Sequence, residues 1–413
     1  HLDYSEIYSL RNGVATMHTK TLSRDVSAPT TEELFERLDA LLPGIAARAE
    51  KVDVERQIPE ETISELKEIG IFRMLTPRYW GGYGMDLMDF QEVARRLARS
   101  CASTAWVVGY LTQHAWLLAR WPMELQEEVF TTPDPLSAVT NAGAGKLTPV
   151  DGGYRLTGKW SFASGIMQAD WVGCGVIDDD GELKMALLPV EDVEIIDVWH
   201  TAGLRGTASN DVRIEDVFVP QHRVCSWTEF GAIDNPGALV HPEPNLRAAI
   251  SSFFNNLTPA IVLGSVERAA ELFKELMLNR KVKHGIEDRQ ADSPIAQARY
   301  AAAMSELQAA ELLWREGHRL SQKAYMESRI FEDDERARFR LALLYSGEAS
   351  TRALELITLG SGAGQQRLGA PLQRIQRDFH ILRSHATLVP DPILEQAGRG
   401  LLGLGFTIPK ELF

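Results

Sequence analysis

Apolar positions in the first third of the chain recur with helical period. Leu34, Leu38, Leu41, Leu42 and Ile45 fall on one helical face. A second helix is predicted from Pro59, with acidic residues in its first turn, Ile63, Leu66 and Ile69 on its apolar side and Gly70 as its stop. PRYWGGYG (77–84) reads as a loop; Phe90, Val93 and Leu97 mark a further helix, and STAWVVGYLTQHAWLLARW (103–121) a long apolar one ending before Pro122. From about residue 136 the texture changes to short β-like runs: YRLTGKWSF (154–162), WVGCGVI (171–177), KMALLPV (184–190) and VRIEDVFVP (212–220). DGG (151–153) and DDDGE (178–182) are turn-forming spacers between them. From about residue 240 long helices return, over 260–280, 294–322 and 335–360, each with the single apolar stripe of a bundle helix. The order predicts an α+β protein with an N-terminal α-helical domain (1–135), a small middle β domain (136–235) and a C-terminal helical bundle (236–413). It excludes an alternating βα fold built on a parallel sheet.

Composition narrows the class. The 413 residues are 45% hydrophobic and 24% charged, as expected of a soluble globular chain. A net charge of −14, without long basic runs, argues against nucleic acid and anionic membrane as partners. No apolar run approaches the roughly 20 residues of a membrane span. Cys101, Cys174 and Cys225 match neither a disulfide framework nor a metal clip, which suits a reducing cytoplasm. The opening HLDYSEIYSLRNGVAT lacks the apolar core of a signal peptide. Met17 is an alternative start, with residues 1–16 then a leader or an appended remnant.

Two phosphate-loop look-alikes fail. NAGAGKLT (141–148) has a Gly-Lys pair, but Thr140 stands where the first glycine is needed and Leu147 follows the lysine. GSGAGQQRLG (360–369) has Gln365 in the third glycine's place and follows a helix rather than a strand. No HExxH or CxxC occurs, and His380 and His385 have poor spacing for zinc on one helix face, so no metal is expected.

Four stretches, in register along the chain, resemble the acyl-CoA dehydrogenase superfamily: GKWSFASG (158–165), AGLRGTASNDVRIEDVFVP (202–220), NRKVKHG with SPIAQ (279–297), and LGSGAGQQRLGAPLQRIQRD (359–378). The resemblance implies that family's helical domain, middle β-barrel or sandwich and four-helix bundle. The departures point to one branch. Dehydrogenases often carry a catalytic Glu shortly after the Arg-Asp, but RDFHILRSHATL (377–388) has no carboxylate after Asp378 until Asp391. Abstraction of an α-proton from a thioester needs a positioned carboxylate. A His after Arg-Asp, the Trp106–His114 pair and Trp160-x-Phe162-x-Ser164-Gly165 instead resemble the oxygenase components of two-component phenol hydroxylases.

That branch implies a monooxygenase that receives reduced FMN or FAD from a separate flavin reductase, forms a flavin C4a-hydroperoxide with O2 and hydroxylates a small aromatic, with a phenol as the first expectation. Oxygenation of sulfur or nitrogen, an acyl-CoA dehydrogenase or oxidase with bound FAD, and a degenerate member remain alternatives. By resemblance Ser164 lies beside flavin N5 and holds its proton; otherwise it is a strand serine bonded to backbone. His385 lies near C4a, where a cationic or donor imidazole stabilises developing negative charge; otherwise it is a helix-surface residue. His114 faces substrate and orients or deprotonates a phenol; otherwise it is a satisfied core histidine. Trp106 stacks near the flavin ring or fills core. Phe162 and Ala163 belong to the same flavin-side stretch. Thr140 and Asn141 contact flavin or, for Asn141, substrate, or else serve turn chemistry. Arg280 meets the flavin phosphate, often across a subunit boundary, or caps a helix dipole. Gln365 sits in the glycine-rich turn near the flavin. Arg205 and Asn210 shape a β-domain loop. Relatives imply a homotetramer.

Overall fold

The structure, a computed structural model, describes residues 28–281 and 289–408. Residues 1–16 and Met17 lie outside the described residues. The first helix, α1 (Thr31–Glu55), starts where Thr30 supplies a cap: the Glu33 N–H donates to Thr30 Oγ1 at 3.1 Å and the Thr30 N–H to Glu33 Oε2 at 3.0 Å. It is followed by α2 (Glu60–Glu68), α3 (Leu87–Ser100), α4 (Ala102–Leu118) and α5 (Met123–Val129). The apolar run 103–121 is α4, buried along nearly all its length, because it is enclosed on all sides rather than amphipathic.

The β region holds two four-stranded sheets. One has the order β1 (Ser137–Thr140), β4 (Trp171–Ile177), β5 (Leu183–Pro189), β8 (Val224–Ser226); the other is β2 (Ala142–Val150), β3 (Gly153–Ala163), β7 (Asn210–Pro220), β6 (Glu194–Ile196). All pairings are antiparallel except β1 with β4. Their inner faces enclose a separate apolar cluster that includes Leu156, Trp160, Val172, Leu188 and Val212. The sequence pattern did not indicate β1, β2, β6 or β8. The look-alike NAGAGKLT is strand β2, and its glycines have a packing cause. The fully buried indole of Trp160 lies across them, leaving no room for a Cβ at Gly143 or Gly145.

After a short helix α6 (Trp227–Gly231) come α7 (Ile250–Asn279), α8 (Pro294–Met326), α9 (Asp333–Ser361), α10 (Pro371–Arg383) and α11 (Pro390–Leu401). Helix α7 begins ten residues before the predicted 260–280 and runs through Pro259. Burial of Ile250, Phe253 and Leu257 on the near side of that proline offsets the lost backbone bond. The N-terminal and C-terminal helices share one continuous apolar core.

Candidate active site

Helix α4 carries the site into the crease between the helical core and the β sheets. Trp106 and His114, eight residues apart, lie on one flank of it. Tyr110 fills the gap, with ring centroids 4.7 Å from Trp106 and 5.7 Å from His114. Phe254 of α7 stacks on His114 at 5.8 Å. From the far end of the chain His385 closes the row, edge-on to Trp106 at 5.1 Å. It belongs to the turn after α10, not to a helix surface. Trp106 and His114 are buried, whereas Tyr110, Phe254 and His385 keep part of their surface open, so the row lines a cleft.

The β domain adds Ser164. Strand β3 slips register against β7 between Trp160 and Ala163, and Phe162 adopts a left-handed φ of 64°. This bulge turns Phe162 outward, buries Ala163 in the sheet opposite Asn210 and brings Ser164 under α4. The Trp106 Nε1–H donates to Ser164 Oγ at 3.0 Å. Ser164 Oγ lies 2.7 Å from Ser209 Oγ, and Ser209 Oγ 2.8 Å from Thr207 Oγ1. Thr207 donates to the Leu204 carbonyl at 2.9 Å.

Both imidazoles are neutral. His114 Nδ1–H donates to the Ser137 carbonyl at 2.6 Å, which fixes the tautomer and leaves Nε2 as an acceptor. Burial lowers its pKa to about 4, against a weaker opposing effect of that bond. His385 is likewise lowered to about 4, by burial first and by the nearby Arg340 guanidinium second. Its Nδ1 lies 2.9 Å from Thr387 Oγ1 and faces the Thr387 N–H at 3.4 Å, an arrangement that favours the ring proton on Nε2. Of the two forms expected for His385, cationic or donor, the cationic one is disfavoured here and the neutral donor form is the one the surroundings hold. Among the described residues, no hydrogen bond of Trp106, His114, Ser164 or His385 goes to a carboxylate.

The Arg-Asp stretch meets the β-domain loop behind this cleft. Gly203 packs against the Arg377 carbonyl so closely that a Cβ has no place there. Asp378 Oδ1 accepts the Leu204 N–H at 2.6 Å, and Arg377 donates to Asp53 of α1 at 2.8 Å and to the Ala202 carbonyl at 2.6 Å. Burial pushes the Asp378 carboxyl up to about 7. Arg205 donates to the Asp53 carbonyl at 2.8 Å, and Asn210 accepts the N–H groups of Val198 and Trp199, each at 3.2 Å. Both shape the loop.

The remaining candidates lie apart from this cluster. Thr140 donates to the Ser161 carbonyl at 2.6 Å, within the β domain. The Asn141 carboxamide lies over Gly175 of β4. Arg280 caps α7 and donates to the Ser361 carbonyl at 3.1 Å, while Gln365 follows in the turn that Gly362 begins. These two share one end of the bundle. The sequence reading missed Tyr110 and Phe254, and it left Thr207 and Ser209 unassigned inside the quoted AGLRGTASN. Their alternation of hydroxyls was the available signal.

The chain matches two family models: acyl-CoA dehydrogenase, N-terminal domain, over residues 40–133, and acyl-CoA dehydrogenase, C-terminal domain, over residues 257–390. It is 35% identical over 386 residues to the oxygenase subunit HsaA of a flavin-dependent monooxygenase from Rhodococcus jostii (strain RHA1), covering 90% of this chain and 99% of that one. It is 32% identical over 395 residues to the oxygenase component of the FADH(2)-dependent resorcinol hydroxylase of Rhizobium sp. (strain MTP-10005), covering 91% and 96%. In structure it is similar to XiaF from Streptomyces sp. in complex with FADH2 and glycerol, with a TM-score of 0.86 and 29% identity over 92% of this chain and 97% of that one.

Proposed function

The chain belongs to the oxygenase subunits of the flavin-dependent monooxygenases, within the acyl-CoA dehydrogenase superfamily, and on that premise we propose how its own cleft works. It is the oxygenase component of a two-component system: it takes reduced flavin from a separate reductase and O2 as co-substrate, and hydroxylates an aromatic compound. When bound, reduced flavin supplies the two electrons that activate O2.

The residues fit that group. Ser164 is half-buried and, once Trp106 and Ser209 are counted, has an acceptor lone pair left for the flavin N5–H. His385 Nε2–H is a donor toward negative charge developing on oxygen. His114 Nε2 accepts and orients a phenolic O–H, and the resulting increase in electron density on the ring favours attack on electrophilic oxygen. Trp106, Tyr110 and Phe254 supply apolar walls that hold the aromatic and exclude water. Phe162, with an outward ring, and exposed Asn141 form the flavin-side rim, with Ala163 and Thr140 buried behind them. Arg280, with Gln365, is assigned to the cofactor phosphate of a neighbouring subunit in a homotetramer. Exposed Ile295, Leu312, Leu359 and Leu368 on the bundle support self-association. The three buried, unpaired thiols support a cytoplasmic setting. A phenol is the proposed substrate.

The observation that carries this reading is the row His385–Trp106–Tyr110–His114, with Ser164 bonded to Trp106 and, among the described residues, no hydrogen bond from Trp106, His114, Ser164 or His385 to a carboxylate. The test presents the protein, with reductase, NADH and flavin, with a panel of phenols. Oxygen-dependent hydroxylated product is expected, and His114→Ala is expected to lower it at least tenfold. Reduction of bound flavin by an acyl-CoA thioester in the absence of oxygen, with no phenol turned over, would sink the reading.

A further inference from the structure

The hydroxyls behind Ser164 form a chain whose direction is fixed at both ends. The Trp106 indole N–H can only donate, and it donates to Ser164 Oγ. The Leu204 carbonyl can only accept, and Thr207 Oγ1 donates to it. Thr207 has one proton, so in the 2.8 Å contact between Thr207 and Ser209 the serine donates. The same count makes Ser164 the donor in its 2.7 Å bond to Ser209. The proton of Ser164 thus points away from the cleft, and one lone pair is all that it offers there. The end of the chain is rigid: Leu204 has a left-handed φ of 48°, and its N–H is held by buried Asp378.

We propose that Ser209 and Thr207 are positioning residues that hold Ser164 as an obligate acceptor, so that the site selects reduced over oxidised flavin. The proposal rests on the flavin reading above. Reduced isoalloxazine has an N–H at N5, which the free lone pair accepts. Oxidised isoalloxazine has a lone pair at N5, which then faces another lone pair. To donate to it, Ser164 must release Ser209, and no relay compensates, because the Leu204 carbonyl cannot supply a proton. The difference is about one hydrogen bond, roughly three- to tenfold in the dissociation constant of oxidised flavin.

The test measures dissociation constants of FMN and FAD for the full chain, oxidised in air and reduced under anaerobic conditions. Ser209→Ala frees the Ser164 proton; oxidised flavin is expected to bind about three- to tenfold tighter, with reduced flavin changed less than about twofold. Thr207→Val removes the acceptor of Ser209, which can then turn and donate to Ser164, so the ratio shifts the same way. The Leu204 carbonyl still receives the Trp199 indole N–H at 2.9 Å in that variant. Thr207→Ser restores the wild-type ratio. Should Ser209→Ala not fold, the Val and Ser variants at Thr207 decide. An unchanged ratio, or equal weakening of both redox states, overturns the proposal while leaving the oxygenase reading intact. Failure of the wild-type chain to bind either reduced flavin overturns both.

Discussion

Helix α4 anchors two polar clusters that differ in completeness. Just past its C-terminal end, Arg120 is fully buried. Its five N–H bonds go to the carbonyls of Phe230, Gly231, Ala232, Leu246 and Ala248, at 2.7 to 3.1 Å, and its guanidinium lies over Trp116. Every donor is used, and the segment between β8 and α7 is pinned. Near the middle of the same helix, the Trp106–Ser164 cluster leaves one lone pair unused and two imidazoles uncharged in a partly open cleft. A closed cluster holds the chain together; one short of a partner is ready for a ligand.

Breaking the closed cluster is expected to have the largest effect. Arg120→Met takes one donor from each of five carbonyls, of which Ala232 and Leu246 keep the Asn235 Nδ2–H, and is expected to cost about 3–5 kcal/mol in urea unfolding. Arg120→Lys, with three donors, should fall between. A loss below about 1 kcal/mol for the Met variant would remove the distinction between the clusters.

Acid tests the open cluster together with two other buried imidazoles. Burial holds His114, His241 and His385 at about 4 and His318 at about 3, all below the ordinary 6.5. Each is neutral when folded, while the unfolded chain binds a proton below 6.5, so stability is lost as pH falls from about 6.5 toward 4. Asp378, raised to about 7, is protonated first in the folded chain and offsets one of these protons. The expected slope near pH 5 is up to about 4 kcal/mol per pH unit, read from denaturant midpoints across pH 5–8. A flat profile would contradict the neutral imidazoles.

Two substitutions sharpen the open cluster. Ser164→Ala removes the acceptor, and about tenfold more hydrogen peroxide per hydroxylated product is expected, with about 1 kcal/mol of stability lost because the buried Trp106 N–H loses its partner; unaltered coupling would take Ser164 out of the mechanism. Thr140→Val loses the bond to the Ser161 carbonyl. About 1 kcal/mol of stability should go, and a change in flavin affinity larger than that in stability would make Thr140 a cofactor contact.

The pattern of apolar positions was enough to read the long helices and the four strongest strands, because each buries a face whose period is local. It did not reveal β2, whose glycines answer to an indole fifteen or more residues away, or the start of α7, where packing outweighs a proline. Of the site, Trp106, His114, Ser164 and His385 were legible as residue types in family positions. The missing carboxylate after Asp378 was legible too.

The sequence by itself determined the α–β–α order, the motif set and the lack of a carboxylate between Asp378 and Asp391. Tertiary structure decided what those residues can do. Trp106 meets Ser164 across 58 residues and Asp378 meets Leu204 across 174. Proton direction along the hydroxyls and charge on the imidazoles follow from such contacts and from burial. Both depend on what surrounds a group in space, and a list of neighbours along the chain does not contain that.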